Sequence, residues 1–189
     1  MTAHAELNNW QVHDAAGRRK YLTADEGARF LQAANRLPPS MRAFCLVLAF
    51  AGCRVSEALA LTADHVDPER RTLTIRTLKR RRTVFRAVPV PQSMIELLRG
   101  LRTDDEGRFW CSHRVTAWRV VKATMQGAGI AGPMCCPKGL RHSFGIRAAS
   151  HNIPTNLIQR WMGHASPTTT AIYLDAVGLE ERSFASRMW

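Results

Sequence analysis

Three separated segments of this 189-residue chain each set a charged or nucleophilic side chain beside an apolar run. They are Gly52-Cys53-Arg54-Val55-Ser56-Glu57-Ala58-Leu59, Gly139-Leu140-Arg141-His142-Ser143, and Trp161-Met162-Gly163-His164 followed by Tyr173. Two arginines, a histidine and a tyrosine brought together are what phosphodiester chemistry without a metal needs. Arginine forks match the non-bridging oxygens of a phosphate and stay charged through the reaction. A histidine can donate to the same phosphate or move a proton. A tyrosine hydroxyl can attack phosphorus and hold the chain covalently, and a lysine can protonate the leaving oxygen.

The elements that must position these groups are legible from period and punctuation. Thr23, with Asp25 and Glu26 in a positive first turn, opens a helix that continues through Phe30, Leu31 and Ala34. Leu37-Pro38-Pro39 stops it, and Ser40 opens a second helix through Phe44, Val47, Leu48 and Ala51. Gly52 interrupts that helix near Arg54, and Val55 to Leu61 forms a further apolar turn. The period then changes. Arg71 to Arg76 alternates, as does Val84 to Val90, with Lys79-Arg80-Arg81-Arg82 between them, which predicts a β-hairpin with a basic tip. Helical signals return at Pro91–Leu101 and at about Val115–Met125, where Val115, Trp118, Val121 and Met125 form the expected apolar stripe. Further helices are expected near Lys138–His151, Pro154–Met162, Thr168–Leu174 and Leu179–Arg187. Trp118 and Trp161 are expected in the core. The fold class is mostly α with a small antiparallel β-sheet (α+β).

Composition narrows the partners. Lys and Arg number 27 against 15 Asp and Glu, and the net charge of +12 concentrates polyanions at the surface. Nucleic acid is the first candidate, ahead of an anionic membrane or an acidic protein. No apolar run approaches the ~18–20 residues of a membrane span, and the N-terminal residues carry no secretory pattern. Cys45, Cys53, Cys111, Cys135 and Cys136 form no C-x-x-C pair, so free thiols in a reducing cytoplasm are expected, with no metal site. A tip of four adjacent cations repels itself unless a polyanion neutralises it, so Lys79 to Arg82 are expected to meet DNA.

In order and spacing the chain resembles the tyrosine recombinases, also called phage-type integrases, from about Leu22 to its C-terminus. Gly52-Cys53-Arg54-Val55-Ser56-Glu57-Ala58-Leu59-Ala60-Leu61 is similar to the family's first arginine box. Leu140-Arg141-His142-Ser143-Phe144 is similar to the second. Ile158 to Pro167, containing Trp161-Met162-Gly163-His164, resembles the C-terminal box, where the nucleophile follows the Gly-His pair by nine residues, here at Tyr173. The hairpin lies where the family carries a catalytic lysine.

The resemblance implies the family's catalytic-domain fold over residues 21–189, with residues 1–20 as a polar, basic arm or linker. It implies that Tyr173 attacks a DNA phosphodiester to give a 3′-phosphotyrosyl link and a free 5′-hydroxyl. Arg54 and Arg141 would clamp the phosphate, His164 would assist, and Lys79 would protonate the leaving oxygen. No metal, ATP or other cofactor is expected. Glu57 would orient the Arg54 region. Lys138 stands where the family often has a histidine, so the proton-transfer role there is open. His142 is expected to pack or to hold a structural hydrogen bond. Full-length members carry a separate N-terminal DNA-clamping domain that twenty residues cannot supply, which leaves a minimal member or a fragment. The expected partner is double-stranded DNA, bound by a homo-oligomer, with the C-terminal helix docked on itself or in trans. The event expected is site-specific recombination in the cytoplasm. A type IB topoisomerase-like activity and a non-catalytic DNA-binding protein on the same scaffold stand as alternatives.

Overall fold

The computed structural model describes residues 11–77 and 84–174, together with Ser186 and Met188. Lys79, Arg80, Arg81, Arg82 and the expected Leu179–Arg187 helix therefore lie outside the described residues.

Helix α1 (Ala24–Asn35) starts where the sequence signals it: Thr23 Oγ1 accepts from the Glu26 N–H, and Glu26 accepts from the Thr23 N–H, a reciprocal capping box. Phe30 and Ala34 are buried on its inner face. Helix α2 (Pro39–Ala51) has proline at its first position and ends at Gly52, whose φ of 59° is left-handed. A Cβ there would also lie 2.4 Å from the Phe144 ring, so both conformation and space demand glycine. That stop puts Arg54 at the start of α3 (Val55–Leu59).

A 3₁₀ turn (Ala63–His65) leads into strand β1 (Val66–Asp67), followed by β2 (Thr72–Thr77) and β3 (Val84–Pro89). The strands form one antiparallel sheet in the order β1-β2-β3, with Ile75 opposite Arg86 and Thr77 opposite Val84. Helices α4 (Gln92–Arg99), α5 (Arg114–Gly127), α6 (Pro137–Ser150), α7 (Thr155–Met162) and α8 (Thr168–Ala171) complete the described chain. Helix α2 is the hub, packing on α1, α3, α4 and α6, while α7 bridges β3 and α8.

Two hydrophobic clusters result. The larger joins α1–α5 and the sheet, including Phe44, Leu48, Ile75, Ile95 and Val121. The smaller gathers Val12, Phe144, Ala148, Ile158, Met162 and Tyr173, and Trp161 packs against both. Trp161 is thus half-buried against the core, short of the full burial expected, and Trp118 lies further out. Its side chain is 37% exposed with Lys122 Nζ 5.1 Å from the ring centroid, and Val115 is 46% exposed. The buried face of α5 is instead Ala117, Val121, Thr124 and Met125. The Thr124 hydroxyl donates to the Val120 carbonyl, which satisfies it within the helix and lets its methyl pack. All five cysteines are free, and Cys45, Cys53 and Cys135 are buried.

Of the segment expected as an arm, residues 11–20 have a structure of their own. The Lys20 N–H donates to the Val12 carbonyl at 2.7 Å, His13 bridges to Arg19, and Arg19 forms an ion pair with Glu26. The Leu22 N–H donates to Ser143 Oγ at 2.7 Å, and Val12 is buried in the Tyr173 cluster.

Candidate active site

Helix ends build this site. The last carbonyls of a helix have no intrahelical partner and carry the negative end of its dipole. Arg141, buried in α6, uses that: Nη1 donates to the Gly52 carbonyl ending α2, and Nη2 to the Met162 carbonyl ending α7, both at 2.7 Å. Burial, with the neighbouring Arg54 charge, lowers the Arg141 pKa to about 10, which leaves the guanidinium charged at neutral pH. Among the described residues, two of its five N–H donors meet backbone carbonyls.

Arg54 and Glu57 occupy one turn. The Arg54 N–H donates to Glu57 Oε2 at 2.9 Å, and Arg54 Nη1 lies 2.8 Å from Glu57 Oε1. Arg86 reaches the same carboxylate from β3, with Nη2 2.7 Å from Glu57 Oε2. Arg86 also donates to Thr77 Oγ1 at 2.8 Å and to the Trp161 carbonyl at 2.7 Å. Burial alone would raise the Glu57 pKa, but the Arg86 charge and the hydrogen bonds from Arg86 and Arg54 outweigh it and hold the pKa below the ordinary carboxylate value. Glu57 is thereby a buried anion that fixes two arginines. The side chain of Arg54 stays 23% exposed and is accessible to a ligand.

Gly163, at φ 66°, ends α7 and hands the chain to His164. A Cβ there would stand 3.0 Å from the Arg86 guanidinium, so this glycine also leaves room for Arg86 to reach Trp161. His164 Nδ1 shares a hydrogen bond with Thr170 Oγ1 at 2.9 Å, and its ring stacks on Tyr173 with centroids 6.1 Å apart and planes at 21°. Tyr173 is 1% exposed, and its hydroxyl lies 3.2 Å from His142 Nδ1. Gly145 makes the space, since a Cβ on it would lie 2.6–2.7 Å from three carbons of the Tyr173 ring. Burial pushes the phenol pKa up to about 12, against the pull of Arg141 and Arg54. Burial and surrounding cations hold His142 and His164 down at about 3, so both imidazoles are neutral at physiological pH.

Of the residues singled out from the sequence, Arg54, Glu57, Arg141, His142, His164 and Tyr173 thus converge. Lys138 lies one turn before Arg141 on α6, and its charge acts on His142. Lys79, Arg80, Arg81 and Arg82 lie outside the described residues. Sequence reasoning missed Arg86 and Lys20. Arg86 had a signal: it is in phase with Val84, Val88 and Val90, the inward positions of the strand. Lys20 had none, because the fold back of its segment is what sets its charge beside Lys138 and His142.

The sequence model of the phage integrase family matches residues 20–178. This chain belongs to the phage integrase family. Among curated relatives, the tyrosine recombinase XerA of Pyrococcus furiosus is 31% identical over 166 residues, covering 82% of this chain and 56% of that protein. The chain therefore spans about half the length of the curated relatives it matches. A crystal structure of a XerA recombinase matches with a TM-score of 0.74 at 26% identity, covering 89% of this chain and 64% of that one. A XerH site-specific recombinase bound to its difH substrate before cleavage shares the fold, with a TM-score of 0.72 at 21% identity over 90% of this chain and 59% of that one. The expected α+β integrase fold is thus the observed one. No helix among the described residues is long and apolar enough to cross a membrane.

Proposed function

We propose that the chain is the catalytic domain of a site-specific DNA recombinase, cutting and rejoining duplex DNA through a 3′-phosphotyrosyl link. The observation that carries this reading is the meeting of Tyr173, His142 and His164 with Arg141 and Arg54 at the ends of α2 and α7. In the reaction, Tyr173 Oη attacks the scissile phosphorus while the bond from phosphorus to the 5′ oxygen breaks. Arg54 and Arg141 hold the non-bridging oxygens and offset the charge of the pentacoordinate state. His164 donates to the same phosphate. Lys138, in place of a histidine, adds a further cation. Lys79 protonates the departing 5′ oxygen, and Arg80, Arg81 and Arg82 contact the DNA backbone. Attack by the 5′-hydroxyl of a partner strand reverses the step, so one phosphodiester is exchanged for another without a metal, ATP or other cofactor. Double-stranded DNA is the substrate, and a homo-oligomer assembled on it brings the two strands together, with the C-terminal segment docking between protomers. The XerH structure, with its difH substrate bound, supports this choice of partner.

The test is covalent trapping on nicked suicide duplexes, in which loss of a short 5′-hydroxyl strand prevents religation. The duplexes come from a random-sequence library enriched by covalent capture. A protein–DNA band that survives denaturation and disappears in Tyr173→Phe is the expected result. A native shift without any covalent band would replace this reading with that of a non-catalytic DNA-binding protein.

A further inference from the structure

Tyr173 must lose a proton as it attacks, and the family's usual histidine position holds Lys138, an ammonium with three protons and no lone pair. The Tyr173 hydroxyl instead lies 3.2 Å from Nδ1 of His142, and both groups are buried. His164 is placed differently: its ring lies face-on to Tyr173 and its Nδ1 is engaged by Thr170. We infer that His142 is a catalytic residue, the general base that receives the Tyr173 proton at Nδ1 during strand cleavage. The inference rests on the recombinase reading above and names the proton acceptor that reading leaves open.

The step balances simply. With its own proton on Nε2, neutral His142 accepts the Tyr173 proton at Nδ1 and becomes an imidazolium. The phenolic oxygen bonds to phosphorus, and the 5′ oxygen leaves with a proton from the leaving-group acid. On religation the imidazolium returns the proton to the phenol as the phosphotyrosyl bond breaks.

The surroundings explain why the transfer waits for DNA. His142 faces Lys138 and Arg141 from its own helix, Lys20 from the folded N-terminal segment, Tyr173 from beyond α8, and His164 from the turn after α7. The three cations, added to burial, hold the imidazole neutral in the free protein. Its Nε2 finds no partner among the described residues, so nothing internal supports a second charge. A phosphate seated at Arg141 and Lys138 brings negative charge against those cations and raises the proton affinity of His142. The nucleophile therefore stays protonated until substrate is in place, and its deprotonation is coupled to phosphate binding.

The experiment measures single-turnover cleavage of the captured suicide duplexes, made with either an ordinary phosphodiester or a bridging 5′-phosphorothiolate at the scissile position. A thiolate leaves without a proton, so it relieves a missing acid and not a missing base. His142→Asn keeps an acceptor oxygen near Nδ1 but takes up no proton. It is expected to slow cleavage about 100-fold on both substrates with unchanged DNA affinity. The wild-type chain is expected to show an acidic limb in its rate–pH profile on both substrates, and the limb should be absent in His142→Asn. Wild-type rates in His142→Asn would reduce His142 to a hydrogen-bond holder and overturn the inference, as would rescue of that variant by the phosphorothiolate. Should the variant not fold, the wild-type profile decides alone: an acidic limb kept on both substrates supports the base, and a profile with no acidic limb on either overturns it. A wild-type chain that forms no covalent complex removes the recombinase reading itself.

Discussion

Glu57 and Arg86, one on α3 and the other on β3, form an ion pair at 2.7 Å with their side chains only 1% and 3% exposed. The pair locks the sheet to the helix that begins at Arg54, and the Arg86 bond to the Trp161 carbonyl extends the lock to α7. Removing Arg86 leaves the buried Glu57 carboxylate with Arg54 as its one cationic partner among the described residues, and removing Glu57 leaves Arg86 a buried cation without a carboxylate. Arg86→Leu is therefore expected to destabilise the fold by about 3–5 kcal/mol. Arg86→Leu with Glu57→Leu should cost less than the two single changes added, because the double variant buries no lone charge. Urea unfolding of the four proteins measures this coupling.

A glycine in the middle of α6 carries a prediction in which two effects oppose. Alanine is the better helix former by about 1 kcal/mol, so Gly145→Ala would stabilise an unencumbered helix. Here the added methyl meets the Tyr173 ring at 2.6–2.7 Å, closer than carbon atoms tolerate. Overpacking of this kind costs typically about 1–3 kcal/mol, so the clash wins or cancels the gain. Because the ring must shift, the hydroxyl leaves His142. The expected outcome is little net change in thermal midpoint, or a small loss, with covalent trapping of DNA reduced at least tenfold. Wild-type trapping in this variant would show that the nucleophile is not held by this contact.

Acid should destabilise the protein by a route that its histidines define. His142 and His164 have folded pKa values near 3 against an ordinary 6.5. Between those values the unfolded chain binds two protons that the folded one does not, so stability rises with pH and falls on acidification through that window. Tyr173 acts at the other extreme. Its raised pKa adds stability that is present below about pH 10 and is lost as pH rises through 12. Replacing His164 by Gln removes one titrating site and should flatten the stability–pH slope between pH 6.5 and 3. Denaturant midpoints across that range provide the check.

What could be read from the sequence was local or ordered. The Thr23 cap, the Gly52 stop and the two alternating strands each depend on near neighbours, and the structure holds all of them. The less legible features depend on distant partners. Arg86 finds Glu57 29 positions away and Trp161 75 positions away, so only strand phase hinted that it turns inward. The α5 stripe held at Val121 and Met125 but failed at Val115 and Trp118, because large apolar side chains outweighed small ones in the pattern. Ala117 and Thr124 fill the close contacts, while Trp118 lies outside beneath Lys122. Strand β1 has two residues and no periodicity to read.

The exposure of Trp118 has an energetic consequence. A core tryptophan replaced by alanine typically costs about 3–5 kcal/mol, whereas a surface substitution stays within about 0.5 kcal/mol. At 37% exposure, with a cation over its ring, Trp118→Ala should fall well below the core range, at about 1 kcal/mol. Trp110 supplies the contrast. It is 7% exposed, packs edge-on to Phe44 and donates from Nε1 to the Ser40 carbonyl at 2.9 Å. Trp110→Ala should fall within the core range. Equal losses at the two positions, measured by urea unfolding, would contradict this placement of α5.

Val12 links the N-terminal segment to Tyr173. It is 6% exposed and belongs to the same cluster as Tyr173, Phe144 and Met162. The backbone around it is held at both ends, by Lys20 on Val12 itself and by Leu22 on Ser143, whose hydroxyl donates in turn to the Gly139 carbonyl. Val12→Ala removes two buried methyl groups and should cost about 1–3 kcal/mol. Val12→Asp would bury a carboxylate beside an already raised phenol, so the segment should detach rather than accept it. Detachment would also uncover the cluster against which Tyr173 packs. Val12→Asp is therefore expected to lower covalent trapping of DNA well beyond Val12→Ala while the larger cluster stays folded. Amide hydrogen exchange would reveal this as lost protection at residues 12–22, with α1 and α2 unchanged. Full protection at Lys20 in Val12→Asp would mean that the segment is held by its hydrogen bonds alone.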